Sequence, residues 1–414
     1  MKRSLAVLFC IFALFSSLFA GGSKEAASGD VTLTVLWFND ANESDVFMDT
    51  MQDYLEANPN VKIDLQVIAF GDYEQKLKMM ISGGNPPDVA RLTTSHVPIL
   101  ASSLEPIDPY LEDPAATKAE FMPSMLAFAL DKEGQMLAYP TEATANGMIV
   151  NLTAWENAGI DVRELSKTWT WDEWEEAVKQ VIAANEGMKY GLAVDYTIHR
   201  FATLLYEFGG SFMNEDQTAF DMVKEENINA INYFKHLHDE GLVPESVWLG
   251  SENPTELFQA GLVACHIGGS WNINTYNTNV KDFEWTVVST PKGEINSSVP
   301  GGKFIGAFKD GKHKEAAMDL MAWFSDKAHN EKYCLDTFNL SSRADAEIAY
   351  PTNSEEFAVF QHDLSVTPAF TAVEWGNAKV TQLSTFMVEQ IVQVLLGNQT
   401  AEEACRAIQA RAES

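Results

Sequence analysis

The sequence predicts an α/β fold with more than one lobe, because strand and helix patterns alternate along 414 residues. The first strand is "VTLTVLW" (31–37), in which apolar and polar residues alternate. A helix follows in "SDVFMDTMQDYLEANP", whose apolar residues recur at helical spacing and which ends at Asn-Pro. The second strand is "VKIDLQVI" (61–68). This β-α-β order predicts parallel strands with a right-handed crossover, and the chain is too long for a single core.

Later segments continue the pattern. Helices are predicted in "INAINYFKHLHDEG", where Gly241 is the stop, and in "KEAAMDLMAWFSDKAHN". Strands are predicted in "EWTVVSTP" and "GKFIGAF", and about the last sixty residues read as mainly helical. The class is therefore α/β.

The N-terminus reads as a secretory signal peptide. Lys2 and Arg3 precede an apolar run over 5–15 and a stretch that ends in a small residue. We expect residues 1–20 to be the signal and residues 21–29 a flexible leader. With such a signal we expect export across the inner membrane to the periplasm. No later segment approaches the ~18 continuous apolar residues of a membrane span.

The charge of the chain limits the partners that it can bind, and its cysteine content bears on disulfide formation. Loss of the two positive signal residues takes the net charge from -31 to -33, so the surface repels nucleic acid and anionic lipid. Cys265, Cys334 and Cys405 remain, and their odd number and wide spacing argue against a disulfide framework.

Enzyme and cofactor motifs are absent from the sequence. "GGSWN" has Asn272 where a nucleophile elbow needs glycine, and "PGGKF" has Phe304 where a phosphate loop needs Ser or Thr. The histidines and thiols do not form a metal-ligand spacing. We therefore expect no catalytic residues, no metal and no cofactor, although paired carboxylates of a glycosidase would be hidden among 59 acidic residues.

The tryptophan-rich stretch "KTWTWDEWEEAV" is interpreted as a helix start. Thr170 and Glu173 form a capping box, and Trp169 and Trp174 occupy the two positions of a hydrophobic staple. Local structure therefore accounts for these two rings without a ligand.

Better binding candidates lie where strands end, because ligands of open α/β sheets bind beyond the carboxyl ends of strands. Aromatic rings there can cover the C–H face of a sugar while amides and carboxylates bond its hydroxyls. The alternatives are that Trp37 packs in a core and that Trp271 is a structural ring under a loop. The candidates on this argument are Trp37, Phe38, Asn39, Asp40 and Trp271. Glu374 and Trp375, which stand before a helix-like stretch in "AVEWGNAK", are weaker candidates.

Five segments in order carry a family resemblance: "GNPPDV", "TWTWDEWEEAVKQV", "ELFQAGLVACHIGGSW", "PGGKFIGAF" and "KHKEAAMDLMAWF". The chain resembles the extracellular solute-binding proteins of bacterial ABC importers, in the carbohydrate-binding group that includes maltose-binding protein. The resemblance runs through almost the whole chain after the signal.

The resemblance implies a two-lobed periplasmic-binding-protein fold of type II with three crossings between lobes and the ligand in the cleft. By analogy, lobe one takes residues 30–140 and 300–340, and lobe two takes 141–299 and 341–414. A monomer would capture a carbohydrate by hinge closure and deliver it, unchanged, to the transmembrane subunits of an ABC permease. Gly21 stands where many relatives carry a lipid-anchor cysteine, which leaves membrane association open.

The family's site is carried over by matching segments. "AYPTEATANGMIVN" resembles a crossing segment near the cleft, "DYTIHRF" a contact of lobe two, and "PGG" the glycine strand. Trp271, Trp375 and the loop 37–40 match family positions. The further residues implied are Tyr139, Glu142, Asn146, Tyr196, Arg200, Gly301 and Gly302.

Two other functions remain open from the sequence. A secreted glycosidase would need two carboxylates ~5–10 Å apart across one sugar bond. A receptor for a polyol phosphate would need cationic cleft residues, for which Arg91, Arg200, Lys303 and Arg343 are available. The strong net acidity argues mildly against an anionic ligand.

Overall fold

The structure is a computed structural model that describes residues 29–295 and 298–414. The predicted signal peptide (1–20) and all of the leader except Gly29 lie outside the described residues.

Within the described residues, nine strands form one mixed sheet in the order β2-β1-β3-β8-β4-β6-β5, with β7 and β9 pairing to β4 off this path. The strands are β1 Val31–Trp37, β2 Val61–Val67, β3 Val89–Thr93, β4 Tyr139–Asn151, β5 Tyr190–Val194, β6 Val263–Gly269, β7 Trp285–Val288, β8 Pro300–Ala307 and β9 Leu340–Ser341.

Twenty α-helices and one short 3₁₀ helix (Asp108–Tyr110) surround the sheet in the described part of the chain. Among residues 29–295 and 298–414, we find no helix with the length and apolarity that a membrane span requires. The helices are α1 Glu43–Thr50, α2 Gln52–Ala57, α3 Phe70–Ser82, α4 His96–Leu100, α5 Pro114–Ala119, α6 Pro123–Ala129, α7 Leu152–Asn157, α8 Val162–Leu165, α9 Trp171–Ala184, α10 Ile198–Glu207, α11 Glu225–Asp239, α12 Glu245–Trp248, α13 Pro254–Gln259, α14 Asn272–Asn279, α15 Lys314–Ser325, α16 Lys327–Thr337, α17 Ser354–Val366, α18 Phe370–Trp375, α19 Ala378–Leu395 and α20 Ala401–Glu413.

Strand β4 joins two parts of the sheet. Its first residues, 139–145, pair with β8, and its last residues, 146–151, pair with β6 and β7. We call β1, β2, β3 and β8 the first half-sheet, and β5, β6 and β7 the second half-sheet. All thirteen residues of β4 are buried, so the connection between the half-sheets runs through the core.

Local predictions agree well with the structure at the first β-α-β unit and at α9. Strands β1 and β2 are parallel, with Val31 opposite Val61. The α9 capping box is present, since the Thr170 side chain accepts from the Glu173 backbone and the Glu173 side chain accepts in return. Trp169 is 1 % exposed, which fits the interpretation as a helix start.

Two predicted helices are each split in two. The first divides at Met51, whose ψ of -3° departs from helical geometry. The second divides at Asp326, which is extended (ψ 164°) and accepts a hydrogen bond from the His329 backbone. An aspartate is a strong N-cap because its carboxylate satisfies free amides of the next helix. The apolar residues keep their helical spacing across both breaks, so the sequence pattern did not reveal them.

Candidate functional site

The candidate site lies where the two half-sheets meet along β4. Gly269, the last residue of β6, pairs with Asn146 of β4. On the other side, Pro300 at the start of β8 pairs with Ala145, and the end of β3 lies beside Lys303. The carboxyl ends of strands from both half-sheets therefore converge on residues 142–146.

A cluster of charges forms the side of the site that belongs to the first half-sheet. Arg91 is 1 % exposed and donates to the Phe38 carbonyl over 2.6 Å and to Glu142 Oε1 over 2.7 Å. Lys303 forms an ion pair with Asp40 and lies 4.0 Å from Glu142 Oε2. Burial raises the pKa of Asp40, but the positive charges of Lys303 and Arg91 outweigh burial and bring the pKa below 3.8. Asp40 is therefore ionised and paired.

The loop that carries Asp40 is fixed by its own side chains. Asn39 and Ser44 exchange two hydrogen bonds, of 2.8 and 2.9 Å. One carboxylate oxygen of Glu43 accepts from the backbone N–H groups of Asp40 (2.9 Å) and Ala41 (2.7 Å). Asn39 thus has a role in loop geometry, which holds Asp40 towards Lys303.

Arg200 and Trp271 form the side that belongs to the second half-sheet. The Arg200 guanidinium carbon lies 4.1 Å from the centre of the Trp271 ring. Arg200 also donates to Asp195 over 3.2 Å and to Asn146 over 3.0 Å. A Cβ atom at Gly269 would lie 2.0 Å from the Trp271 ring, so only glycine leaves room for the indole. Trp271 itself remains partly exposed.

The two sides approach each other closely. Asn274 of α14 donates to the Asn42 side-chain oxygen, at the start of α1, over 2.8 Å. Burial raises the pKa of Asp40, and the charges of Lys303, Arg91 and, less strongly, Arg200 lower it. Asp40 and Arg200 therefore lie on opposite sides of one site, which we call the cleft, and its two walls are in contact at Asn42 and Asn274.

Gly301 and Gly302 allow β8 to approach β4. A Cβ at Gly301 would lie 2.7 Å from Thr144 Oγ1, and one at Gly302 would lie 2.7 Å from the Glu142 carbonyl. The Gly302 amide donates to Thr94 Oγ1 over 2.7 Å. The absence of a side chain at Gly301 and Gly302 therefore lets β8 pack closely against β4.

Several predicted aromatic contacts are core residues. Trp37 is 1 % exposed, and its ring centre lies 4.5 Å from that of Phe47. The alternative interpretation, a strand end that packs Trp37, fits this position. Phe38 is fully buried with cations over its ring, and Tyr139 is buried against Phe121.

Glu374 and Trp375, the candidate pair late in the chain, are also buried. Glu374 accepts hydrogen bonds from the Met213 amide (2.7 Å) and the Tyr206 hydroxyl (2.9 Å), and burial raises its pKa. Glu374 thereby anchors the segment at Met213 to α18. Trp375 is 4 % exposed and lies 4.5 Å from the His199 ring, so it supports the cleft from behind His199.

Tyr196 and Phe70 are strongly exposed aromatic residues that stand shortly after strands. Tyr196 follows β5, is 50 % exposed and lies edge-on to Trp248 at 5.4 Å. Phe70 follows β2, is 55 % exposed and leans on Phe38 at 5.0 Å. Phe70 was not among the residues predicted from the sequence, although its place just beyond a strand was a usable signal.

Two cations of the site entered the sequence analysis only as possible anion ligands. Arg91 lies inside the apolar strand "VARLT", and a charge there was itself a signal of a buried partner. Lys303 is similarly placed in β8. Arg343 lies outside this cluster and pairs with Glu120 and Asp345.

Comparisons with known proteins identify relatives over most of the chain. The model of the family "Bacterial extracellular solute-binding protein" matches residues 40–331. An arabinooligosaccharide-binding protein of Halalkalibacterium halodurans is 23 % identical, over 73 % of this chain and 69 % of its own length. The sn-glycerol-3-phosphate-binding periplasmic protein of Salmonella paratyphi A is also 23 % identical, over 69 % and 68 %.

The fold has a solved counterpart. An ABC substrate-binding protein of Listeria monocytogenes in complex with cycloalternan aligns with a TM-score of 0.79 at 22 % identity, over 92 % of this chain and 98 % of its own. These comparisons confirm the two-lobed α/β fold and the family resemblance predicted from the sequence. They also confirm the prediction of a binding protein rather than an enzyme.

Proposed function

Because the chain belongs to the bacterial extracellular solute-binding protein family, we propose that it is the sugar-binding component of an ABC importer. It captures a mono- or oligosaccharide in the cleft between Asp40 and Arg200 and delivers it to the transmembrane subunits of a permease. The family implies an extracytoplasmic location. We place the protein in the periplasm as a monomer.

The observation that carries this proposal is the position of Trp271. It is the predicted tryptophan platform that stays partly exposed where the two half-sheets meet. The Arg200 guanidinium lies over its ring and donates to the Asn146 side chain, and the Asp40 carboxylate is near enough to Arg200 for the charge to lower its pKa. A ring with hydrogen-bonding groups around it suits a sugar, whose C–H face is apolar and whose hydroxyls both donate and accept.

The pairing of β4 supports a division of the chain into two lobes. We propose that lobe one comprises residues 30–140 and 300–340, and that lobe two comprises 141–299 and 341–414. Support comes from β4, which pairs with β8 before residue 146 and with β6 and β7 after it. Strand β9 pairs with β4 at residues 142–143, where the last crossing would lie. Hinge motion about these segments would open and close the cleft.

The charges of the cleft favour an uncharged ligand. Each cation near the site holds a carboxylate: Lys303 pairs with Asp40 and Arg91 with Glu142, and Arg200 pairs with Asp195. A phosphate would have to displace one of these carboxylates, whereas a hydroxyl can bond to a pair without breaking it. The second candidate is a polyol phosphate, favoured by the Salmonella relative.

A titration separates the two ligand classes. The protein is titrated with neutral sugars, among them arabino-, malto- and chito-oligosaccharides, and with sn-glycerol 3-phosphate, while intrinsic fluorescence is recorded. We expect saturable binding of a neutral sugar and none of the phosphate. Tight binding of the phosphate alone would establish the second candidate, and failure of every sugar would remove the first.

A further inference from the structure

A continuous series of hydrogen bonds leads from the core of the second half-sheet to Arg200, which lies over the Trp271 ring. The Tyr276 hydroxyl lies 2.6 Å from His266 Nδ1, and His266 Nε2 lies 2.8 Å from Asp195 Oδ1. The other oxygen of Asp195 accepts from Arg200 Nε over 3.2 Å. Arg200 in turn lies over the Trp271 ring at 4.1 Å. Four side chains, from the buried Tyr276 to Arg200, thus connect the core to the candidate sugar platform.

The donors along this series point one way. A carboxylate can only accept, so His266 must donate through Nε2, and its Nδ1 can then accept the Tyr276 proton. Burial raises the pKa of the Tyr276 hydroxyl well above 10, which keeps that proton in place. Burial raises the pKa of Asp195, but the interactions with His266 and Arg200 outweigh burial and bring the pKa below 3.8. Asp195 is therefore a carboxylate with both oxygens engaged.

The inner end of the series is rigid. His266 and Tyr276 have no exposed surface, and His266 lies in the middle of β6. The Tyr276 ring packs 4.8 Å from Phe258 and 5.8 Å from Trp285. The outer end is less enclosed, because the side chains of Asp195 and Arg200 are 21 % and 15 % exposed. The rigid pair of His266 and Tyr276 therefore constrains where Asp195 and Arg200 lie at the cleft.

We propose that Tyr276 and His266 are positioning residues for ligand binding. They orient Asp195, which holds Arg200 against Trp271, and so they fix the platform and the guanidinium in the geometry that receives the ligand. Both lie too deep to touch a sugar. This inference rests on the proposed function for its effect on affinity, but the orientation of Arg200 on Trp271 can be measured without any ligand.

The physical reason is the flexibility of arginine. Its long side chain has many rotamers, and a residue that binds a ligand gains affinity when that freedom is removed beforehand. Asn146 and His199 also contact Arg200, at 3.0 and 2.6 Å, but Asp195 is the contact that brings a carboxylate against the guanidinium. Without an oriented Asp195, the guanidinium would leave the ring for part of the time.

The first experiment needs no ligand. Near-ultraviolet circular dichroism and fluorescence are recorded for Asp195→Asn and Tyr276→Phe, each made in the wild type and in Trp271→Phe. We expect both substitutions to change the spectrum in the wild-type background and much less in the Trp271→Phe background. Tyr233→Phe is the matched control, because its hydroxyl bonds the Trp171 carbonyl (3.3 Å) away from the cleft. Equal changes in both backgrounds would overturn the proposal.

The second experiment uses whichever sugar the titration identifies. We expect Asp195→Asn to weaken its binding about tenfold, in line with the loss of a charge-assisted hydrogen bond. Tyr276→Phe should weaken binding a few-fold at unchanged thermal stability relative to Tyr233→Phe. His266→Gln, which keeps an N–H for Asp195, should bind better than His266→Leu. Equal affinities for these two variants would contradict the proposal, whereas no sugar binding by the wild type would sink the proposed function alone.

Discussion

Arg91 and Glu142 form an ion pair of 2.7 Å although the two side chains are 1 % and 0 % exposed. Each comes from a different strand, β3 and β4, and the Tyr333 hydroxyl donates to the same Glu142 oxygen over 3.0 Å. Removal of one partner from a buried pair leaves an uncompensated charge, which is far more costly than the pair itself is stabilising.

Arg91→Met should therefore lower the free energy of unfolding by about 3–5 kcal/mol, measured by urea denaturation. The matched control is Lys235→Met, which breaks a surface pair with Asp239 and should cost under about 1 kcal/mol. A loss for Arg91→Met no larger than the control's would contradict a stabilising role for the buried pair.

A second prediction concerns pH and the buried Asp363. Burial raises its pKa from 3.8 to about 6, and its carboxyl accepts from Ser289 Oγ over 2.7 Å. The native state therefore binds this proton more tightly than the unfolded state, so the contribution to stability is full below pH ~4 and is lost as pH rises through ~6. The shift corresponds to roughly 3 kcal/mol.

Asp363→Asn should remove this slope and be the more stable protein at pH 8, by about 1–3 kcal/mol, but not at pH 4. Urea denaturation at the two pH values measures the difference. Asp53→Asn, at an exposed position, should keep the wild-type slope. Glu207, whose pKa burial raises well above 4.5, adds a slope of the same sign, so some pH dependence should persist in Asp363→Asn.

The exposed ring of Phe70 predicts an outer contact for longer sugars. Phe70→Ala should weaken binding of an oligosaccharide by a few-fold, since one stacked ring contributes about 1 kcal/mol, and should leave a monosaccharide unaffected. Met79→Ala is the control, because Met79 lies on the same helix and is 61 % exposed. Calorimetry measures the affinities for the oligosaccharide and the monosaccharide. Equal losses of affinity for the two sugars would refute an outer contact.

The hydrogen bond between Asn42 and Asn274 predicts a kinetic effect. It joins the two walls only when the cleft is closed, so Asn274→Ala should speed ligand dissociation a few-fold and leave association unchanged, as for an interaction of about 1 kcal/mol. Stopped-flow fluorescence measures both rates. Asn157→Ala removes a similar surface bond, 2.9 Å to Asn185, and should change neither. An altered association rate would contradict this role.

The parts of the fold that depend on local patterns could be predicted from the sequence. The pairing of β1 with β2 and the capping box at Thr170 are encoded within stretches of neighbouring residues. The burial of Trp37 is different, because Phe324 and Tyr333, which pack against its ring, lie almost 300 positions away. The pairing of Arg91 with Glu142 also arises only when β8 is inserted between β3 and β4.

The candidate site was predicted in part for the same reason. Strand ends located Asp40 and Trp271, and the family resemblance added Asn146 and Arg200, which the structure brings together. The positions of Asp195 and His266 could not be predicted, since their roles depend on the orientation of one side chain over another across two strands.

The measurement that tests the account most directly is calorimetric titration of wild type, Trp271→Ala and Trp323→Ala with the sugar that gives the largest fluorescence response. Trp323 is the matched ring, partly buried and stacked on His329 at 4.4 Å. We predict that wild type and Trp323→Ala bind with similar affinity and that Trp271→Ala binds at least tenfold more weakly, since an aromatic anchor in a binding site contributes about 2 kcal/mol or more. Undiminished binding by folded Trp271→Ala would contradict the assignment of this cleft as the sugar site.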